Sequence, residues 1–335
     1  VRNLDFPANF ETIVVPFHMP KTKPKACNYG LFFCKGIYLT IYDAEDVPDS
    51  DQLKKVVSLF RKLPKDYVVL QGALNYFNKN ENLLTRMFTL EYSYWFDYML
   101  PGLQSLEVPI PLGGTSNHFK LDKLKELGGW DPFNVTEDAD LGVRVFEKRY
   151  KVGVVNSTTL EEANNEPFNW IRQRSRWIKG YMQTLLVHMR NPVRLVNKIG
   201  WRGFFGFNFF VGFTPITFLL YPVLLGFYII YIIFDLQTVR VLFPDWVLYI
   251  SIFNFVAGNT LMIYVNMLAV FKRRFYELIL FALVNPFYWL MHSIAAYKGL
   301  WQLIYKPFYW EKTNHGLTKM SHSSSAAAAA NANEV

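Results

Sequence analysis

Five consecutive residues, Gln173-Arg174-Ser175-Arg176-Trp177, place two guanidiniums and an indole within about one and a half helical turns, just before the chain becomes strongly apolar. A guanidinium cannot shed its proton, so burying it without an anionic partner is expensive. Its rigid fork suits a diphosphate, and an adjacent Trp offers a flat apolar face to a ring. A diphosphate, a ring and a bilayer together suggest a sugar nucleotide used at a membrane. The competing reading is an Arg-rich interfacial helix that binds acidic lipid.

Other candidates lie upstream. The apolar run 37–42 ends in Asp43-Ala44-Glu45-Asp46, and acids at the carboxyl end of a strand sit where α/β sheets bind ligands. Asp43 and Glu45 could share Mg2+ or Mn2+ and use it to hold diphosphate oxygens; an acidic turn before the next helix is the alternative. In Thr136-Glu137-Asp138 a carboxylate could serve as general base, or merely complement a helix N-terminus. Lys25 and Asn28 could reach phosphate and ribose, or be a surface lysine and a turn asparagine. Gly113-Gly114-Thr115 permits close backbone approach to a ligand, or makes a tight turn into a strand. The six histidines show no metal-ligand spacing. No Gly-rich phosphate loop or Ser/His/Asp arrangement is visible.

These residues need elements to hold them. Of 335 residues, 51% are hydrophobic, 18% aromatic and only 19% charged, too apolar for an ordinary soluble chain. The net charge of +8 does not suggest nucleic acid, because Arg190, Arg194, Lys198, Arg202 and the Lys272-Arg273-Arg274 run flank apolar stretches, as cations do at cytoplasmic helix ends. Cys27 and Cys34 read as reduced core thiols. Residues 1–165 alternate strand-like runs (37–42, 67–70) with helical spacing (51–60, 82–100, 121–127, 136–149), which predicts a doubly wound, mostly parallel sheet. An amphipathic helix over 168–190 follows, with Trp170, Trp177 and Tyr181 on one face, suited to a membrane interface. Stretches 204–234, 247–271 and 276–303 each exceed the roughly 20 residues that cross a bilayer. The Ser/Ala/Asn-rich residues 321–335 predict disorder.

Taken in order, Lys-x-x-Asn, Asp-x-Glu, Gly-Gly-Thr, Thr-Glu-Asp, Gln-Arg-x-Arg-Trp and then membrane helices resemble the membrane-bound family-2 glycosyltransferases, such as cellulose, curdlan and hyaluronan synthases. The resemblance covers roughly residues 12–316. It implies a cytosolic GT-A α/β domain (1–165), an interfacial region (166–202), transmembrane helices (203–305) and a tail (306–335) in an integral membrane protein.

The resemblance also implies roles. Asp43 and Glu45 would bind Mg2+ or Mn2+; the family more often has Asp at the second place, and Asp46 could substitute. Lys25 and Asn28 would lie near the nucleotide, and Arg174 and Arg176 at its diphosphate. Asp138, with Glu137 beside it, would take the acceptor's proton. Gln173, Trp177, Gly114 and Thr115 would line the acceptor end. The reaction implied is inverting transfer of a hexose from a nucleotide-diphosphate sugar, UDP-glucose by the look of 113–119, to a growing polysaccharide. Transfer to a lipid-linked acceptor and a non-catalytic glycan- or nucleotide-binding protein are the alternatives. Residues 308–313 match a gating segment loosely; Lys312 and Thr313 would then be cytosolic, requiring an even number of crossings and one apolar stretch that is re-entrant, interfacial or doubled. The family's first strand and its base-contacting acid find no counterpart ahead of Thr12, where Asp5 lacks the setting, so a chain shortened at its front is expected.

Overall fold

The computed structural model describes residues 9–234, 244–314 and 316–318; Asp5 and the tail 321–335 lie outside these. The N-terminal part contains α1 (Lys23–Leu31), β1 (Tyr38–Ile41), β2 (Val47–Pro48), α2 (Gln52–Lys62), β3 (Tyr67–Tyr76), α3 (Leu83–Tyr94), α4 (Leu100–Ser105), β4 (Asn117–Lys120), α5 (Leu121–Glu126), α6 (Glu137–Glu147) and β5 (Lys151–Glu161). Asn82 caps α3, accepting from the Thr85 amide at 3.0 Å while Thr85 Oγ1 accepts from the Asn82 amide. A π-helical turn, Trp95–Met99, joins α3 to α4.

The sheet is mixed rather than mostly parallel. Its order is β1-β4-β3-β5-β2, and only β3 and β5 pair in parallel. The strand–helix–strand alternation is nonetheless real. β1 and β3 are both antiparallel to β4, and β3 is parallel to β5, so β1, β3 and β5 run the same way. Two short strands intrude: the four residues of β4 wedge between β1 and β3, and β2 covers the outer edge of β5. The carboxyl ends of β1, β3 and β5 therefore open on one edge, where Asp43 and Glu161 stand. Leu100, Leu103, Phe119, Trp130 and Leu141 fill the core beneath.

Next come α7 (Pro167–His188), α8 (Pro192–Phe207) and α9 (Phe213–Phe234), then α10 (Asp245–Lys272), a 3-10 stretch Tyr276–Val284 and α11 (Asn285–Tyr305). Three helical segments, Pro192–Tyr231, Asp245–Lys272 and Tyr276–Tyr305, are long and apolar enough to cross a membrane. They behave differently. At the end of α10, Arg273 forks onto Asp97, which belongs to the π-helical turn of the α/β part. From there α11 runs along α7: Trp170 meets Tyr288 and His292 at ring separations of 5.3 and 4.9 Å. Farther on, Gly299 sits against the Ser175 carbonyl, where a Cβ would stand 2.8 Å away.

The chain then retraces α7 backwards. Gln183 donates to the Pro307 carbonyl (2.9 Å), Lys179 to that of Tyr309 (2.7 Å), Arg176 to that of Glu311 (3.0 Å) and Asn169 to that of Asn314 (2.8 Å). Residues 308–313 thus end on the side of the α/β part. Protein, rather than an exposed interface, covers much of α7: Trp170 is fully buried, and Ile178 and Met182 are buried with it.

Candidate active site

A cavity of about 740 Å3 opens at the carboxyl edge of the sheet. Its floor carries Asp43, Glu45 and Asp46 from the loop after β1 and Gly113–Thr115 from the turn before β4. Glu137 and Asp138 come from the first turn of α6, and Arg176 and Trp177 from α7. Trp310, Lys312 and Thr313 close one side, and Phe210, Phe218, Asn266 and Trp289 continue the wall between the apolar helices. Polar chemistry at one end therefore leads into a helix-lined passage at the other.

Close packing sets these positions. Gly180 of α7 lies on Thr136, the residue that starts α6; a Cβ there would come 2.2 Å from Thr136 Oγ1. No larger residue would let α7 hold the start of α6 so tightly. Thr136 occupies the N-cap position without its side chain capping the helix. Gly114 is similarly constrained, since its missing Cβ would lie 3.3 Å from Asp138 Oδ2.

The acids differ in state. Asp46 accepts from the Asp43 amide at 2.7 Å and from the Thr115 hydroxyl, which ties down the loop. Its other oxygen, Oδ1, is buried without a hydrogen-bond partner. Asp43 is paired with the Lys23 ammonium, which also donates to the Gly114 carbonyl at 2.8 Å. Burial pushes the Glu137 and Asp138 carboxyls up, and the Asp138 charge raises Glu137 further. Both line the cavity; Asp138 keeps one oxygen on the Ala139 amide (2.7 Å) and is half-buried, whereas Glu137 is buried.

The residues present fit a divalent cation. Asp43 already holds a cationic group, and the orphaned Asp46 Oδ1 lies in the same loop. Among the described residues no three His, Cys, Asp or Glu side chains group as a complete metal centre. Ligand oxygens would have to fill the remaining positions, as is usual for Mg2+ held by one or two carboxylates plus phosphates.

The two arginines part company. Arg174 is buried and bidentate on Glu91 of α3, at 2.7 and 2.5 Å, and stacks on Phe88 and Trp177 at 4.4 and 4.6 Å. Burial alone would raise the Glu91 carboxyl; the guanidinium overrides it and holds Glu91 down at about 2. Arg174 thus touches the cavity wall with its charge already spent. Arg176 gives one hydrogen bond to the Glu311 carbonyl and lies 4.8 Å over Trp310. Among the described residues its other donors have no hydrogen-bond partner, and the fields of Glu137, Asp138 and Asp43 support its charge against burial.

Of the residues singled out in the sequence, Asp43, Glu45, Gly114, Thr115, Glu137, Asp138, Gln173, Arg174, Arg176 and Trp177 line one cavity. Gln173 also accepts from Asn164 at 2.8 Å. Lys25 and Asn28 do not line it. Lys25 donates to the Pro16 carbonyl, and Asn28 clamps the backbone of Trp130, donating at 2.6 Å and accepting at 2.9 Å. Lys23 takes the place expected of Lys25. Residues two apart on a helix point about 200° from each other, so the neighbouring lysine of Lys-Pro-Lys selects the other face of α1. Glu91 was also missed; a lone acid amid the aromatics of α3 was the available signal.

The sequence pattern described as Glycosyl transferase family group 2 matches residues 38–310. Similar proteins include the probable glycosyltransferase YdaM of Bacillus subtilis (strain 168), 27% identical over 56% of this chain and 44% of its own length. Glucomannan 4-beta-mannosyltransferase 9 of Arabidopsis thaliana is 28% identical over 48% of this chain and 29% of its own. The chain spans less than half the length of the curated relatives it matches. Among solved structures, mannosyltransferase PcManGT from Pyrobaculum calidifontis, in complex with GDP-Man and Mn2+, aligns with a TM-score of 0.46 at 15% identity, over 84% of this chain and 67% of that one. With its family pattern running from β1 to the Trp310 segment, the chain belongs to glycosyl transferase family group 2.

Proposed function

We propose that this chain carries the catalytic site of an inverting, metal-assisted glycosyltransferase that moves a hexose from a nucleotide-diphosphate sugar to a glycan acceptor at a membrane. The observation that carries the reading is the shared cavity of Asp43, Asp46, Asp138 and Arg176, continuous with the helix-lined passage. Asp43, with Asp46 or Glu45, would hold Mg2+ or Mn2+, which when bound supplies charge neutralisation for the diphosphate.

The remaining chemistry belongs to side chains. Asp138, made more basic by burial, takes the proton of an acceptor hydroxyl as that oxygen bonds to the anomeric carbon. The bond from that carbon to the diphosphate oxygen breaks on the opposite face, and the leaving oxygen keeps the electron pair. Configuration is inverted. Arg176 and Lys23 line the cavity where the negative charge grows, and fixed charges placed where charge develops are a large source of rate enhancement. Trp177, packed at 6.1 Å on Phe88 and 6.4 Å on Tyr92, offers the acceptor a supported ring.

The membrane reading assigns crossings to α9 and α10, about 33 and 42 Å long for their 22 and 28 residues. α11 then lies along α7 with both ends near the α/β part, so the tail returns to the catalytic side. The cations of 190–202 and 272–274 flank these helices on that side, which favours a cytoplasmic catalytic domain. UDP-glucose is the donor suggested by residues 113–119; the names of the plant relatives favour a mannosyl donor.

Asp138→Asn tests the reading. The variant should lose transfer from UDP-glucose or GDP-mannose while still binding UDP or GDP as the parent does, measured by calorimetry and product formation. Turnover retained by Asp138→Asn would remove Asp138 from the base role.

A further inference from the structure

We propose that Glu161 is a specificity-determining contact for the donor, its carboxyl pairing with a ring hydroxyl of the transferred hexose. The inference rests on the reading that the cavity takes a nucleotide-diphosphate sugar. Glu161 is the last residue of β5, paired with Tyr76 of β3 at the open edge of the sheet, and it lines the cavity near Asp43 and Asp46.

Neighbouring acids in the same wall are engaged. Lys23 holds Asp43, and Thr115 with the Asp43 amide holds Asp46. Arg174 and the Tyr288 hydroxyl hold Glu91, and Glu162 accepts from the Gly316 and Thr318 amides. The Glu161 carboxyl makes no hydrogen bond or ion pair among the described residues. Half-buried on the cavity wall, this carboxyl has hydrogen-bonding capacity left for a ligand.

Charge selects the kind of ligand. Burial opposes ionisation of Glu161, and the Asp46 and Asp43 carboxylates oppose it further, so its place in the wall disfavours added negative charge. A diphosphate gains little from such a neighbour. A cation gains little either, because no third carboxylate groups with Asp43 and Asp46. A carboxyl accepts hydrogen bonds whether or not it is protonated, and a sugar hydroxyl can donate one to it. Tyr92, close enough for Glu161 to influence its phenol, lines the same wall and supplies an aromatic edge beside the hydroxyl.

The size of the effect follows from what is left unpaired. A site built to hydrogen-bond a hydroxyl rejects an analogue lacking it far more strongly than an apolar pocket rejects an extra methylene. The test compares sugar nucleotide with free nucleotide by calorimetry, using UDP-glucose against UDP and GDP-mannose against GDP. Glu161→Ala should weaken the sugar nucleotide that the parent binds by about tenfold or more, while free UDP or GDP changes less than about twofold. Glu161→Gln, which keeps an acceptor, should restore most of the loss. In a deoxy-sugar series, one analogue should be penalised by the parent and not further by Glu161→Ala.

Equal weakening of sugar nucleotide and free nucleotide would move Glu161 to the diphosphate end and overturn the assignment. Unchanged binding of both in Glu161→Ala, or no binding of either donor by the parent, would overturn it as well. These outcomes are separate from the Asp138→Asn test, which reads turnover rather than sugar affinity.

Discussion

Arg174→Ala should behave as a stability variant, although Arg174 shares a five-residue motif with the arginine assigned to the diphosphate. The guanidinium makes two hydrogen bonds to Glu91 and stacks between Phe88 and Trp177, with only 8% of its side chain exposed. Removing one partner of a buried ion pair costs about 3–5 kcal/mol, because the remaining charge is stranded. Loss of the stacking contacts adds to this, at about 0.5–2 kcal/mol each. Glu91 is partly open to the cavity, 29% exposed, so water entering beside it would hold the total near the lower end. A loss of about 3 kcal/mol corresponds to a fall of about 6–12 °C in melting temperature for a protein somewhat larger than a single domain. Thermal unfolding of the purified protein in detergent reads the fall, and calorimetry with UDP and GDP, below the lowered transition, reads the site. Nucleotide affinity should stay within about threefold of the parent. A variant that melts like the parent but loses tenfold or more in affinity would refute the reasoning and return Arg174 to the diphosphate.

Arg176→Ala should do the reverse: its melting temperature should hold, while affinity for UDP or GDP falls about tenfold or more, the cost of losing a charge-assisted hydrogen bond of about 1.5–3 kcal/mol. Unchanged affinity would sink the assignment. His188 supplies a pH test. Its Nε2 lies 2.9 Å from Asp140 and its Nδ1 3.1 Å from Glu147, so both ring nitrogens face acceptors and the ring is an imidazolium. Burial lowers its pKa, but the two carboxylates outweigh burial and raise it to about 9. Because the folded value lies above the unfolded one, the stabilisation is complete below about pH 6.5, fades as pH rises, and is gone above about 9. His188→Gln should therefore cost about 3 kcal/mol at pH 6 and little near pH 9.5, read from melting curves of parent and variant. An equal cost at both pH values would contradict the charged pair.

Much of the candidate site was legible because it is written in short local patterns. Thr136-Glu137-Asp138 reads as a helix start wherever it folds, and Asp43 follows an apolar run whose end is set by the chain itself. Facing was harder to read. Arg174 and Arg176 are two residues apart, as are Lys23 and Lys25, and in each pair the helix turns one side chain away from the other by about 200°. Which member faces the cavity depends on what packs behind the helix: Glu91 behind α7 and the Trp130 backbone behind α1. Sheet pairing was hidden for a related reason. β4 is four residues long, and its His118 pairs with Thr40 of β1 and Leu70 of β3, 78 and 48 residues earlier in the chain, so local periodicity carries no trace of its antiparallel course.

The path of α11 bears on how the site and the apolar helices act together. Had all three apolar stretches crossed a bilayer, the Trp310 segment would lie on the far side from Asp138. Instead α11 follows α7, and the chain turns back so that Lys179, Arg176 and Asn169 hold the carbonyls of Tyr309, Glu311 and Asn314 in reverse order. The side chain of Glu311 is itself held by Lys298 and Gln302 of α11, at 2.8 and 2.7 Å. Arg176 is thus joined through one residue, Glu311, to a helix of the apolar region. A displacement of α11 along α7 would pull on the hydrogen bond that orients the guanidinium facing Asp138 and Asp43. By this geometry, the cavity-lining Arg176 and the helix α11 are joined through Glu311.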